Sequence, residues 1–582
     1  MQNLVDSDKM PLNMPATTPS ARSLGDVLRQ RVKEIPDKVA MMVPPEKGNG
    51  DFSSITFAQL GERVRQIGGT LKFLGFQKGD RLGLFSENCA EWGQLDWACQ
   101  CLGVILVPVY SSLPGDQAGQ ILQDAGAKLT ITGTEEMARR IPDFPTMPLK
   151  GEGSLMQMSA HHNLSLAEWN EAIDAVEPDD VCTLIYTSGT TGHPKGVMLP
   201  HRAAIHVIDV VPKEINLGPG DIFFSFLPMS HVYERVAGQF LPIGTGGTVA
   251  YAKNLASIGN DMMKVQPTVM LCVPRFLESF FDRVTDSVKK SSPLKQKLFH
   301  FAFTQGVKRA KGEFAPFANL LDKIVMEKVR ARTGGRMRYF VSGGAALPPH
   351  VAEVYMALGL TVIQGYGLTE TAGASIVNRP DRNKYWTVGE PLDIEVKLAE
   401  DGEILLRGTT LMLGYYNLPE ETAKVIDEDG WFHTGDIGEY EGVHLKITDR
   451  KKDILVLGNG KNVAPQPIEN RLKQSPLIQE AVVFGDGMEY CVALIVPAAD
   501  RIREALELPE NADLTTNESA RKLLKSEIDR YNKVGANFEA VKRFAILPHA
   551  FTLDSGELTP TFKVKRKFVR EKYAEILKSL DV

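Results

Sequence analysis

Apolar and polar residues follow two alternating rhythms along most of this chain. Over Phe57–Leu74 the apolar positions recur at helical spacing, and the short run Arg81–Ser86 that follows reads as a strand. Val181-Cys-Thr-Leu-Ile-Tyr186 is another compact apolar run and predicts a buried strand. A further strand is expected to end within the motif that begins at Ile363. Such repeated alternation favours α/β layers with largely parallel sheets. Trp97–Tyr110 is the longest apolar stretch, but it contains Gln100 and Pro108. It is shorter than the ~20 residues a membrane-crossing helix needs.

Two stretches depart from this rhythm. From Leu277 to Arg332 the pattern is helical and basic. Leu277, Phe280, Phe281, Val284 and Val288 recur at helical spacing, as do Phe299, Phe303 and Val307, then Phe317, Leu320, Leu321 and Ile324. Lys289, Lys290, Lys295, Lys297, Lys308, Arg309 and Lys311 lie between these stripes. Two readings stay open: a subdomain whose stripes pack on the core, or a basic, partly apolar surface that touches anionic membrane. After Asp449-Arg450-Lys451-Lys452-Asp453 the elements shorten. Ile454–Leu457, the turn Gly458-Asn459-Gly460 and Lys461–Val463 predict a β-hairpin, and Pro467 is expected to open a helix. The charged cluster 449–453 is therefore the expected boundary between a large domain, 23–448, and a small one, 449–582. Residues 1–22, rich in Met, Pro, Ser and Thr near the start, are expected to form a disordered leader rather than a signal peptide.

A length of 582 residues allows more than one domain, each with its own core. A hydrophobic share of 43% and a charged share of 24% are ordinary for a soluble globular protein. The net charge of −6 gives no reason to expect nucleic acid. The six cysteines are scattered without zinc-ligand spacing, which suggests a reducing compartment and a cytoplasmic protein.

The densest chemistry lies in Tyr186-Thr-Ser-Gly-Thr-Thr-Gly-His-Pro-Lys195-Gly-Val197. Glycines let several backbone N–H groups converge on one anion, hydroxyls add donors, and Lys195 adds a mobile positive charge. This is a phosphate-gripping loop, but not that of P-loop NTPases, since only two residues separate Gly189 from Gly192. Ile363-Gln-Gly-Tyr-Gly-Leu-Thr369-Glu370 places glycines, an aromatic and a Thr-Glu pair at a strand end. An aromatic there can stack on a base, and Glu370 suits Mg²⁺, a hard cation that takes carboxylate and phosphate oxygens. In Trp431-Phe-His-Thr-Gly-Asp436 the aspartate can accept two ribose hydroxyls, or be a solvated turn residue. Leu227-Pro-Met-Ser-His231-Val-Tyr-Glu-Arg235 offers a histidine that is either core or active-site. Gly556-Glu-Leu-Thr-Pro560-Thr-Phe-Lys563-Val-Lys-Arg-Lys567 is by itself a basic tail.

In their order, YTSGTTGHPKGV, QGYGLTE, WFHTGD, DRKKD and TPTFKVKRK resemble the adenylate-forming superfamily of acyl-CoA synthetases, luciferases and peptide-synthetase adenylation domains. The resemblance runs from Leu24 to Lys578. LPMSHVYER, VPRFLES, MRYFVSGGAAL and GNGKNVAPQPIE look like the long-chain fatty acyl-CoA synthetase branch. One departure is Asn459, where members often have glycine.

The resemblance implies an α/β fold with a large N-terminal domain of layered β-sheets and helices and a small mobile α+β C-terminal domain. It implies ATP, Mg²⁺ and coenzyme A acting on a fatty acid. Thr187, Ser188, Gly189, Thr190, Thr191 and Lys195 would hold the β- and γ-phosphates, with Thr187 and Glu370 at the metal and Thr369 at the α-phosphate. Tyr366 with the Gly344-Ala345 backbone would frame adenine, Gln364, Gly365 and Gly367 would belong to the same cofactor site, and Asp436 and Arg450 would hold the ribose. Lys563 would bridge the carboxylate and α-phosphate, His231 would place the acyl head group, and Lys452 would be the hinge. Other readings are an acyl-AMP ligase, an acyl-carrier-protein synthetase, or a non-catalytic fatty-acid or nucleotide binder. Oligomeric state stays open, a homodimer included, as does peripheral contact with the inner membrane face.

Overall fold

The computed structural model describes residues 21–48, 50–188, 194–310, 312–552, 555–559 and 564–581. The expected leader, Gly189–Thr191 of the phosphate loop, Lys311 and Lys563 thus lie outside the described residues, apart from Ala21 and Arg22. The chain forms two compact units. The first holds residues 21–347, 351–396 and 406–432, and the second holds 348–350, 397–405 and 433–581.

Local patterns fold as read. The periodic segment forms a helix over Phe57–Phe73, which Thr56 caps while Gln59 returns a bond to the Thr56 N–H. The strand behind it runs Arg81–Phe85. Val181–Ser188 is a strand that pairs antiparallel with Pro194–Pro200, setting Thr187 opposite Lys195.

Two large sheets build the first unit. One runs in the order 414–415, 194–200, 181–188, 105–109, 81–85, 129–132, 146–148. The other runs 390–391, 376–377, 361–366, 339–342, 269–272, 222–225, 248–251, 39–43, 53–56. The central strands of this second sheet, 222–225, 269–272, 339–342 and 361–366, are parallel neighbours. Their C-terminal ends therefore lie along one edge, where ligands gather in α/β sheets. The segments bearing His231, Gly344 and Glu370 leave from that edge.

A buried ion pair ties the two layers together. Arg235 donates through Nε and Nη2 to Asp96, at 2.7 and 2.6 Å. Its third arm reaches Thr183 in the strand that leads to the expected phosphate loop. Both charges are withdrawn from water, at 0% and 1% exposure. The Trp92 and Phe240 rings pack on the guanidinium.

The helical insert forms Pro274–Lys289, Pro293–Ala310 and Ala318–Leu321, followed by a π turn over Asp322–Met326. Leu277, Val284, Phe299 and Leu321 are buried in the core of the first unit. Phe317, Leu320 and Ile324 point outward instead.

In the second unit, Cys491–Pro497 is wholly buried between antiparallel Ile478–Phe484 and parallel Val541–Ile546. Its alternate residues serve two cores: Cys491, Ala493 and Ile495 face one, and Val492, Leu494 and Val496 the other. The hairpin pairs Leu455–Val456 with Asn462–Val463 around Gly460, whose φ is 77°. The following helix opens at Pro465, two residues earlier than Pro467 suggested. Asp449 from the preceding strand replaces a side-chain cap, since Ala464 supplies none, and accepts the Gln466 N–H at 2.9 Å. Burial pushes the Asp449 carboxyl up to about 6 against the bonds it accepts.

Candidate active site

Three elements meet at Glu370. The segment 369–371 is a short 3-10 turn after the strand Thr361–Tyr366. The Glu370 carbonyl accepts the Met412 N–H, which brings in the segment leading to Gly414–Tyr415. That short strand pairs with 197–198, just beyond Lys195. The Tyr415 hydroxyl donates to Glu370 Oε1 at 2.8 Å, and the Lys195 ammonium lies 5.0 Å from the centre of the Tyr415 ring. Lys195 also donates to Glu421 at 2.6 Å. Its hydrogen bond, with that of Lys424, holds the Glu421 carboxyl down to about 2. Burial and the nearby Glu370 raise the Tyr415 phenol far above its usual range, so it stays a donor. Thr187, half-buried, stands in register with Lys195. Tyr415 and Glu421 are more than 200 residues from Lys195, and no local signal marked them.

The glycines divide in purpose. A Cβ on Gly367 would lie 2.4 Å from the Gly373 carbonyl carbon, so that glycine admits the protein's own returning backbone. Gly365 would meet only ordinary contacts. A Cβ on Gly196 would stand 2.9 Å from the Tyr186 ring, so that ring lies across the start of the returning strand. Tyr366 is buried and its carbonyl accepts the Ser375 N–H. Gly344 has φ 79°, which favours glycine, and Ala345 follows it. The Gln364 side chain accepts the Leu347 N–H and donates to the Tyr385 and Thr387 carbonyls. It thereby fixes the end of the loop that carries Gly344 and Ala345.

His231 heads a helical turn, and its Nδ1 accepts the Tyr233 N–H at 3.1 Å. That bond leaves the proton on Nε2. The Tyr233 hydroxyl donates to the Val341 carbonyl at 2.7 Å, and its ring fills the place where a Gly343 Cβ would stand. The histidine turn is thus locked beside the strand 339–342. Glu234 is wholly buried, and burial pushes its carboxyl up to about 8 despite the neighbouring Ser225 and Gln239. It lies in the helical turn Val232–Arg235 just before a π turn, Val236–Phe240, and Gly238 leaves room for its carboxyl.

In the second unit, Asp436 and Arg450 face each other across antiparallel strands, with Nε 3.1 Å from Oδ1. Gly435 has φ 70°, and its N–H donates to Glu403 at 2.9 Å. Glu403 also receives Lys451 at 2.9 Å, and Asp401 receives it at 2.7 Å. Glu403 therefore braces both the turn before Asp436 and the charged cluster, a role the sequence did not signal. Lys452 lies in the turn Lys451–Asp453, where desolvation and Arg450 lower its ammonium below the usual value. Asn459 accepts the Lys461 N–H and so serves the hairpin turn.

The chain matches the AMP-binding enzyme family over residues 28–416 and the AMP-binding enzyme C-terminal domain over 452–580. It belongs to that family. Among curated relatives, long-chain-fatty-acid–CoA ligase FadD15 of Mycobacterium bovis is 32% identical, covering 91% of this chain and 93% of that protein. The peroxisomal long chain acyl-CoA synthetase 7 of Arabidopsis thaliana is 30% identical, with 91% and 82% covered. Among solved structures, the adenylation domain of a carboxylate reductase from Mycobacterium chelonae superposes with a TM-score of 0.75 at 24% identity, covering 97% of this chain and 92% of that one. O-succinylbenzoate coenzyme A synthetase from Bacillus subtilis, in complex with AMP, gives 0.69 at 21% identity, with 93% and 97% covered. The expected adenylate-forming fold, α/β with a further C-terminal domain, is therefore the fold of this chain.

Proposed function

We propose that this protein is an AMP-forming ligase that activates a long-chain fatty acid with ATP and transfers it to coenzyme A. The observation that carries the reading is the cluster in which Tyr415 joins Glu370 to Lys195, in a chain whose long-chain ligase relatives match it nearly end to end. In the first step the fatty carboxylate attacks the α-phosphorus and pyrophosphate leaves. In the second a thiol attacks the acyl carbonyl and AMP leaves. The first step brings anions together, so cations and fixed donors should dominate it.

Lys195, kept near the loop by Glu421, would pass to the β- and γ-phosphates with the donors of 187–191. Thr369 would meet the α-phosphate, and Tyr366 with Gly344, Ala345, Gly365 and Gly367 would border the base. Asp436 and Arg450 would hold the ribose, and His231 would place the acyl head group. A half-buried carboxylate beside hydroxyl donors fits Mg²⁺, which Glu370 and Thr187 would hold and which would neutralise phosphate charge.

A panel of acids over chain length, with pyrophosphate and thioester both measured, tests the reading. Fatty-acid-dependent pyrophosphate release and thioester formation on free coenzyme A are expected. Pyrophosphate release with thioester only on a carrier protein would favour the carrier-protein synthetase. No pyrophosphate release at all would leave a non-catalytic binder.

Glu370→Ala is expected to lower Mg²⁺-dependent pyrophosphate release about 10- to 100-fold, with little change in the melting temperature. Tyr415→Phe, which keeps the carboxylate, should be milder. Unchanged metal dependence in Glu370→Ala would remove the metal role.

Within the second unit, 449–453 is the covalent link between the sheet that ends at Arg450 and the hairpin that begins at Leu455. We take Lys452 as the hinge between half-reactions. Proline fixes φ near −65°, so Lys452→Pro should let acyl-adenylate accumulate while thioester synthesis fails. Ordinary thioester rates in this variant would refute the hinge.

The same reading includes peripheral contact with anionic membrane. Lys289, Lys290, Lys295 and Lys297 are all exposed. Each lysine near an anionic surface contributes about 1 kcal/mol. Changing the four to Glu should therefore weaken vesicle binding at low salt by more than tenfold and spare adenylation of a short, soluble acid. Equal vesicle binding by the variant would discard the electrostatic contact.

A further inference from the structure

The helical insert shows two faces that the periodicity alone did not separate. Its inner stripes pack into the core of the first unit through Leu277, Val284, Phe299, Leu321, Met326 and Val329. Gly306 seats the second helix tightly, because a Cβ there would lie 2.3 Å from the Ala357 carbonyl oxygen. The outer face is also apolar. On the helix Pro293–Ala310, Leu294, Leu298 and Phe301 recur at i, i+4 and i+7 and are all exposed. Beyond it Phe314, Phe317, Leu320 and Ile324 are exposed as well, Phe314 at 85%. The Phe301 and Phe317 rings lie 6.2 Å apart, which joins the two segments into one patch.

A contiguous apolar patch held out in water marks a contact surface. Its charge says which kind. Lys297 stands between Leu294 and Phe301 on the same outer face, Lys308 two turns beyond Phe301, and Lys323 beside Ile324, all exposed. Lys290, Lys295 and Lys328 are exposed nearby in sequence. The exposed acids of the insert are Asp282 and Asp286 on its first helix and Glu313 and Glu327 further on, while Asp322 is engaged by Arg309 and Arg330. Apolar side chains interleaved with lysines suit the boundary between anionic headgroups and acyl chains. Among the described residues no helix is long and apolar enough to cross a membrane, so such a face would lie on the bilayer.

We propose that this outer face is the docking surface for an anionic lipid bilayer, with Phe314, Phe317 and Leu320 entering the acyl boundary. The proposal rests on the ligase reading with its membrane contact, and deepens it from electrostatic attraction to shallow insertion. The rigid base formed by the inner stripes holds the apolar tips in place. A long-chain substrate dissolved in the bilayer would thus be met where it resides.

The test uses the full chain and vesicles of phosphatidylcholine and phosphatidylglycerol, 7:3. An environment-sensitive fluorophore is attached at Phe314→Cys, and at Glu510→Cys as an exposed control. Five of the native cysteines are buried; the half-buried Cys89 is replaced by Ser in both labelled variants. On vesicles the probe at 314 should shift to the blue and be quenched by shallow doxyl lipid, while the probe at 510 should not. Phe314→Ser/Phe317→Ser/Leu320→Ser should lose at least about tenfold in vesicle affinity at both low and moderate salt, with short-acid adenylation unchanged. Vesicle binding that survives in the triple variant with an unshifted probe would overturn insertion and leave the lysine contact standing. No vesicle binding by the wild type would overturn both, and loss of fatty-acid-dependent pyrophosphate release would fail the ligase reading separately. Conversion of a wild-type dimer to monomer by the triple variant, without change on vesicles, would mean that a second copy covers the face and would also overturn the proposal.

Discussion

Lys563→Ala is expected to slow acyl-adenylate formation by about 10²- to 10³-fold, and to leave thioester formation from supplied acyl-adenylate largely intact. The position lies outside the described residues, and its role follows from the late motif and from charge. Negative charge concentrates between the attacking carboxylate and the α-phosphate only in the first step. A cation placed there stabilises that transition state more than either ground state, and losing one such contact costs about 3–4 kcal/mol of barrier. The thioester step begins from an adenylate already formed and does not call on it. Pyrophosphate release with fatty acid and ATP measures the first step, and thioester from synthetic acyl-adenylate the second. Equal loss in both would exclude this role and point to a folding defect or a shared binding contact.

Asp96→Ala is expected to destabilise the protein by about 3–5 kcal/mol, because it strands a buried guanidinium. Asp96 accepts two bonds from Arg235, and the partner that remains, Thr183, carries no charge. The damage should extend beyond stability. Arg235 belongs to the turn headed by His231, and Thr183 to the strand that delivers Thr187, so both approaches to the site share this anchor. Urea unfolding checks the first expectation. The second is checked by the KM for ATP at a temperature where the variant remains folded, which should rise. The double variant Asp96→Ala/Arg235→Met should lose less than the sum of the single changes, since no unpaired charge remains. A near-neutral Asp96→Ala would show that the pair is dispensable.

Much of the fold was legible because its signals are local. The helix at 57–73, the strands at 81–85 and 181–188 and the hairpin around Gly460 each follow from side-chain period or turn chemistry within a few residues. The start of the helix at Pro465 was less legible, since Pro465 and Pro467 both suit a first turn and the choice fell to the Asp449 carboxylate. The candidate site residues were found through ordered motifs, whose spacing survives as sequence.

The chain by itself determined which residues are proposed for phosphate, base and acyl chemistry, and which segments become helix or strand. Only the tertiary structure decided their company. Tyr415 joins Glu370 to Lys195 because sheet order lays 414–415 beside 194–200. Glu403 reaches both Gly435 and Lys451 for the same kind of reason, in the sheet of the second unit. Glu234 has its carboxyl pushed up only because the fold closes over it. Phe317 and Leu320 share the helical spacing of buried residues, yet the packing of the insert turns them to solvent. Periodicity is fixed by bonds along the backbone, whereas the face that meets water is fixed by which distant element arrives to cover the other.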